Sequence, residues 1–386
     1  MNNRHVENIR RTSLSKGVHL AFAAALLGLV SQQAVADCSP VLPGNGATVT
    51  CSGGTVLGNP FNSSANSLTV NVTADGRVAP VLGALTPAMQ LTGNNVTLNN
   101  AGMIDPSFLG ILSALSKGTV IGNATGSNHV ITNTGGLYGT FGVASVNLGD
   151  LSGVALDIRN GVGGTTTITN NGFIGGKPLV GVSVLAADAP AIVASGQGNT
   201  NMTNAAGATV QGRISFNGSG NTLVNNGQII GSVYVGNGGD TFVADTASSV
   251  SSTGTGIGLQ VPDLLGVGLL NFAAAGVVDG GTGTDTLTLK SAAGNGASSA
   301  NAAQYINFEN LNITGGTWTL TGRLANASNL TGGTAILNTA DNLGATATIN
   351  NAAVQAGTNG LGVTTAFNIL GGGMTAQGTN SFSLNG

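Results

Sequence analysis

TLVNNGQIIGSVYVGNGG, residues 222–239, decides the fold. A few apolar residues alternate with polar ones, run into Asn and Gly, and restart as another short apolar stretch. Variants recur at VTLNNAGMI (96–104), VITNTGGLY (130–138), TITNNGFIGG (167–176) and NMTNAAGATVQG (201–212). Looser copies follow at 285–291, 305–322, 334–354 and 364–373. Alternation such as Leu68-Val70-Val72, Ile306-Phe308 and Trp318-Leu320 turns one face of a short strand inward. Asn-Gly and Gly-Gly tolerate positive φ and turn the chain sharply. Such short strands cannot each bury a face alone, but stacked as rungs they share one continuous core.

The expected architecture is therefore all-β, a right-handed parallel β-helix with irregular loop insertions. Asparagines at equivalent positions are expected to stack into side-chain amide ladders. The glycines at 102, 135, 172, 207 and 227 lie 33, 37, 35 and 20 residues apart. That irregularity disfavours a hairpin-built sandwich. About 330 residues at roughly 20 per rung give about 16 rungs and a rod of about 75 Å.

Composition agrees. Of 386 residues 64 are glycine, and charged residues make up 6% against about a quarter in ordinary domains. Scarce charge suits stacked rungs, where like charges would repel across one strand spacing. The 9 prolines and the lack of a three-residue glycine period exclude collagen. Poor helix formers exclude a bundle, and 41% hydrophobic residues exclude a wholly disordered chain.

Residues 1–36 read as a signal peptide: Arg4, Arg10, Arg11 and Lys16, a 13-residue apolar run at 18–30, then Ala34-Val35-Ala36. The mature chain then holds 7 Lys+Arg against 13 Asp+Glu, no electrostatic footprint for nucleic acid. Cys38 and Cys51 read as a disulfide in an exported protein, closing an N-terminal cap over 37–60 ahead of the repeats at 61–386. Three apolar segments interrupt the pattern and are candidate contact surfaces: 106–117, with helical spacing, 179–195, read as an irregular excursion, and 261–278, read as a protruding loop or short helix.

Little chemistry is visible. His129, the sole mature histidine, reads as structural, and no G-x-S-x-G is present. Acids are scattered, Asp150/Asp157, Asp240/Asp245 and the Asp279/Asp285 region being the close pairs, so no catalytic residue, cofactor or metal is assigned. GGTGTDTLT (280–288) does match a calcium-binding nonapeptide, and GNGGDTFV (236–243) is a looser copy. Calcium at Asp240 and Asp285 would need the two copies stacked. Being about 45 residues apart, they read instead as isolated tight turns leading into strands.

With the leader, repeats such as ITNNGFIGG, the turn-strand GGTGTDTLTLK and the pair INFENLNITGG and GTWTLTG, the chain resembles a bacterial autotransporter (type V secretion) passenger region. The resemblance covers most of 61–386. It implies display on the outer surface of a Gram-negative cell for adhesion or host interaction, without catalysis. It also implies an outer-membrane β-barrel translocator as partner. No barrel follows in this sequence, which ends in repeat-like Ser383-Leu384-Asn385-Gly386, so truncation or a separately encoded barrel is expected. A periplasmic product is the alternative location. The alternative functions are a secreted calcium-stabilised repeat protein and, third, a polysaccharide-acting β-helix enzyme.

Overall fold

A computed structural model describes residues 37–53, 60–79, 86–106, 117–140, 154–177, 190–251, 276–338, 342–356, 366–369 and 372–375. They form a parallel β-helix, and no helix occurs among them. Three sheets, here A, B and C, run along the coil. Each complete rung passes from A to C to B. In one rung these are Thr165–Asn170, Phe173–Lys177 and Pro190–Ala194.

Register is carried by inward side chains stacked rung on rung. In sheet A the column is Val49, Val70, Leu98, Ile131, Ile168, Met202, Leu223, Phe242, Leu287 and Leu311. Sheet C stacks Val78, Ile104, Leu137, Ile174, Val210 and Ile229. Sheet B stacks Met89, Leu156, Ile192, Ile214, Val233, Val278 and Tyr305 among others. All are buried. A strand that offers its neighbour the same apolar side chain at the same place continues the core without a gap, as alternation predicts.

The three corners differ. The A-to-C corner is tight and carries the amide ladder. Asn100, Asn133, Asn170, Asn204 and Asn225 form the column, the first four passing an Nδ2–H to Oδ1 of the next at 2.7, 2.8, 2.9 and 2.9 Å. Each also donates to the first carbonyl of the next rung's C strand: Gly136, Phe173, Thr209, Gln228 and Ser249. The amides thus supply donors where the backbone bends away from its ladder. Behind them Gly102, Gly135 and Gly172 stack so closely that a Cβ on one would strike the carbonyl below. The B-to-A corner is a series of glycine-rich turns.

The C-to-B corner is where chain length varies. At its shortest it is Gly212 alone, between Thr209–Gln211 and Arg213–Phe216. Elsewhere the chain leaves sheet C at Val78, Ile104, Thr140, Lys177 and Ser251 and returns to sheet B at Met89, Thr119, Leu156, Pro190 and Val278. The longer excursions fall largely outside the described residues, as do most of the apolar segments 106–117, 179–195 and 261–278. One expectation is corrected: Pro190–Ala194, read as part of an excursion, is a strand of sheet B, with a register shift between Pro190 and Ile192.

Sheet A holds thirteen rungs among the described residues, from Thr48–Ser52 to Ala366–Ile369, fewer than the 16 expected, because directly paired A strands are up to 45 residues apart in sequence, as at Phe242 and Leu287. That span is about 58 Å at the strand spacing. Parallel pairing already begins at Thr48–Ser52. Asp37–Ser39 folds back on this strand antiparallel, and Cys38 is bonded to the directly opposite Cys51. The short strand and its staple occupy an edge that would otherwise present unpaired backbone. At the other end, sheet B stops at Tyr305–Ile306 among the described residues. From there two faces merge into single bent strands, Asn310–Thr321 and Ala327–Leu337, each creased at a Gly-Gly pair.

Candidate functional site

Besides the amide ladder, a second column of polar side chains runs along the B-to-A corner. The residue at this position, just before the A strand or second within it, is Val96, His129, Thr166, Thr200, Asn221, Asp240, Asp285 and Glu309 in turn. Here the chain is still turning, and the backbone N–H of one rung is taken up by the side chain of the next. Val96 N–H donates to His129 Nδ1 at 3.3 Å, and Thr200 N–H to Asn221 Oδ1 at 2.8 Å. Asn221 N–H donates to Asp240 Oδ1 at 2.6 Å, Asp240 N–H to Asp285 Oδ1 at 2.8 Å, and Asp285 N–H to Glu309 Oε2 at 2.8 Å.

His129 sits in this column beside Ser127, with Nε2 to Oγ at 2.9 Å. Nδ1 accepts a backbone N–H, so the ring proton is on Nε2 and points at Ser127. That tautomer cannot take the serine's proton, so the pair lacks the base that a nucleophile requires. Burial pushes the imidazole pKa down to about 4.

Of the carboxylates close in sequence, Asp240 and Asp245 are set apart by the strand Thr241–Asp245. Asp157 is buried and accepts from Lys117 Nζ at 2.7 Å and Arg159 Nη2 at 2.9 Å through one oxygen. Asp150 lies outside the described residues. Asp245 accepts the N–H groups of Ala247 and Ala292. A cleft of about 340 Å³ opens where sheet B ends, between Tyr305, Glu309 and Arg323.

What the coil brings together is Asp240 and Asp285. The turns 236–240 and 280–285, expected to stand alone, are neighbours on consecutive rungs: Asn237 bridges Thr282 in parallel, and Gly238 N–H donates to Thr282 O. The length of chain between Ser251 and Val278 accounts for their separation in sequence. Gly281 and Gly283 have φ of +96° and +138°, and a Cβ on either would strike the carbonyl of Gly236 or Gly238. Stacking therefore requires glycine at both places.

Asp240 and Asp285 are 1% and 0% exposed. Oδ2 of each has no hydrogen-bond partner. Burial raises the Asp240 pKa. Burial first, then the charges of Asp240, Glu309 and Asp279, push Asp285 up to about 6, against the lowering effect of the Asp240 N–H. Among the described residues no ion pair involves Asp240, Asp279, Asp285 or Glu309, and no three His, Cys, Asp or Glu converge as a ready metal cage.

No protein-family model matches the chain, and no curated protein and no solved structure is similar enough to it to count as a match.

Proposed function

We propose that the chain is an exported, surface-displayed passenger of autotransporter type, a β-helical rod with a structural and adhesive role and no catalysis. One observation carries the reading. Among the described rungs that have all three strands, the long connections all run from sheet C to sheet B, while the other two corners are held by an amide ladder and by stacked glycine turns. Repeat proteins with excursions aligned along one edge present that edge as a contact line on a rigid support. The polar interior serves backbone satisfaction instead: His129, Asp245 and the Asn column are all engaged by N–H groups or carbonyls.

The partner this reading needs is an outer-membrane β-barrel that exports the rod, with host or cell-surface ligands met at the corner. The test is to fuse the full chain to a translocating barrel in a Gram-negative host. Surface exposure is scored by protease shaving, and attachment by cell aggregation and adherence to epithelial cells. Attachment that disappears when 252–275 and 141–153 are shortened to Gly-Ser links, with the rod still folded, supports the reading. A displayed, folded rod that confers no attachment overturns it.

A further inference from the structure

We infer that the stacked turns 236–240 and 280–285 form a calcium site, with Asp240 Oδ2 and Asp285 Oδ2 as its charged ligands. The argument starts one rung earlier. Asn221 occupies the same column position and makes the same Oδ1 contact, accepting the N–H of Thr200 as Asp240 accepts that of Asn221 and Asp285 that of Asp240. Its remaining side-chain atom is an NH2 group, which donates to Gly218 O at 2.8 Å, Val235 O at 2.9 Å and Asp240 Oδ1 at 3.1 Å. The corner therefore surrounds that atom with acceptors, and an amide satisfies them.

In the next two rungs the residue is aspartate. The atom corresponding to Nδ2 of Asn221 is now Oδ2, an acceptor, in both Asp240 and Asp285. Both Oδ2 atoms are buried without a partner. A methyl placed on Gly236 would lie 2.6 Å from Gly218 O and 3.0 Å from Asp240 Oδ2, so backbone and carboxylate oxygens converge there, beside the Asn221 amide.

A positive charge resolves this arrangement. Asp279 and Glu309 add negative charge near Asp285, and the ion pairs among the described residues leave all four acids out. Two unpartnered carboxylate oxygens in register, one of them with a glycine carbonyl beside it, are the hard oxygen donors that calcium takes. Magnesium demands a small octahedron and releases its water reluctantly. Water and further turn carbonyls would supply the remaining ligands.

The test uses the full chain at neutral pH. Thermal unfolding is followed in EDTA, in calcium and in magnesium, and terbium luminescence reports direct binding. Calcium is expected to raise the midpoint by several degrees and to displace terbium, and magnesium to do neither. The double variant Asp240→Asn, Asp285→Asn repeats the Asn221 solution in both rungs. It is expected to fold, to unfold in EDTA at or above the wild-type temperature, and to lose the calcium response and terbium binding together. Equal wild-type midpoints in EDTA and calcium, with no terbium signal, would overturn the site and leave two buried neutral acids. A calcium response that survives in the double variant would overturn it as well.

Discussion

Asn133 donates from Nδ2 to Oδ1 of Asn170 at 2.8 Å, although 37 residues separate them. Asn170 in turn donates to Asn204 and to Thr209 O, and its Oδ1 also accepts Gly172 N–H. Asn170→Ala strands several buried groups at once, and leaving one such group unsatisfied costs about 1–3 kcal/mol. The expected loss is about 2–3 kcal/mol by urea unfolding, against less than about 0.5 kcal/mol for an exposed alanine substitution such as Asn128→Ala.

The His129 imidazole has its pKa lowered from 6.5 to about 4 by burial. The unfolded chain therefore binds the proton that the fold refuses. This contribution to stability is complete above pH 6.5, declines as pH falls towards 4, and levels off below. The total is roughly 3 kcal/mol at most. His129→Gln, which retains an acceptor for Val96 N–H, should flatten that slope in denaturation measured from pH 7 to 4. A slope unchanged in the variant would mean that another group titrates there.

Trp318 is 1% exposed and is paired across rungs with Ser298 on one side and Ala335 on the other. A large side chain between two small ones fills the merged section of the rod. Trp318→Ala should cost about 3–5 kcal/mol through the cavity it leaves. Ala335→Leu should cost about 1–3 kcal/mol by crowding the indole. Both are read from unfolding midpoints.

Gly283→Ala puts a side chain at φ +138° and against the carbonyl of Gly238. The expected result is a lower melting temperature by more than the roughly 1 kcal/mol that an ordinary glycine change involves. Hydrogen exchange should quicken first at Gly238, whose N–H is held by the next rung. Uniform protection in the variant would refute a local opening of these two turns.

The rungs themselves were legible. Alternation at Leu68-Val70-Val72 and the Asn-x-Gly breaks after Asn100, Asn133 and Asn170 are local signals, and they map onto strands, amide ladder and tight corner as the periodicity implies. The number of rungs was not legible. An apolar, glycine-bearing excursion has the composition of a rung, so Pro190–Ala194 was assigned to the wrong class. The acidic column was hidden for a related reason. In the sequence Asp240 pairs with Asp245, five residues on, whereas in the coil its neighbour is Asp285, one rung away. Which residues meet depends on how much chain the intervening excursion removes, and no local pattern records that quantity.

The unequal lengths between matched positions have an evolutionary consequence. Leu223 and Phe242 are 19 residues apart and Phe242 and Leu287 are 45 apart, yet each pair meets squarely in sheet A. The rod counts turns and not residues. Insertions and deletions at the C-to-B corner can therefore be sampled freely by selection, whereas a single-codon deletion inside Thr165–Asn170 would turn that strand inside out. Lineages of such a protein should diverge mainly in length, at one edge, while the repeat beneath stays in phase.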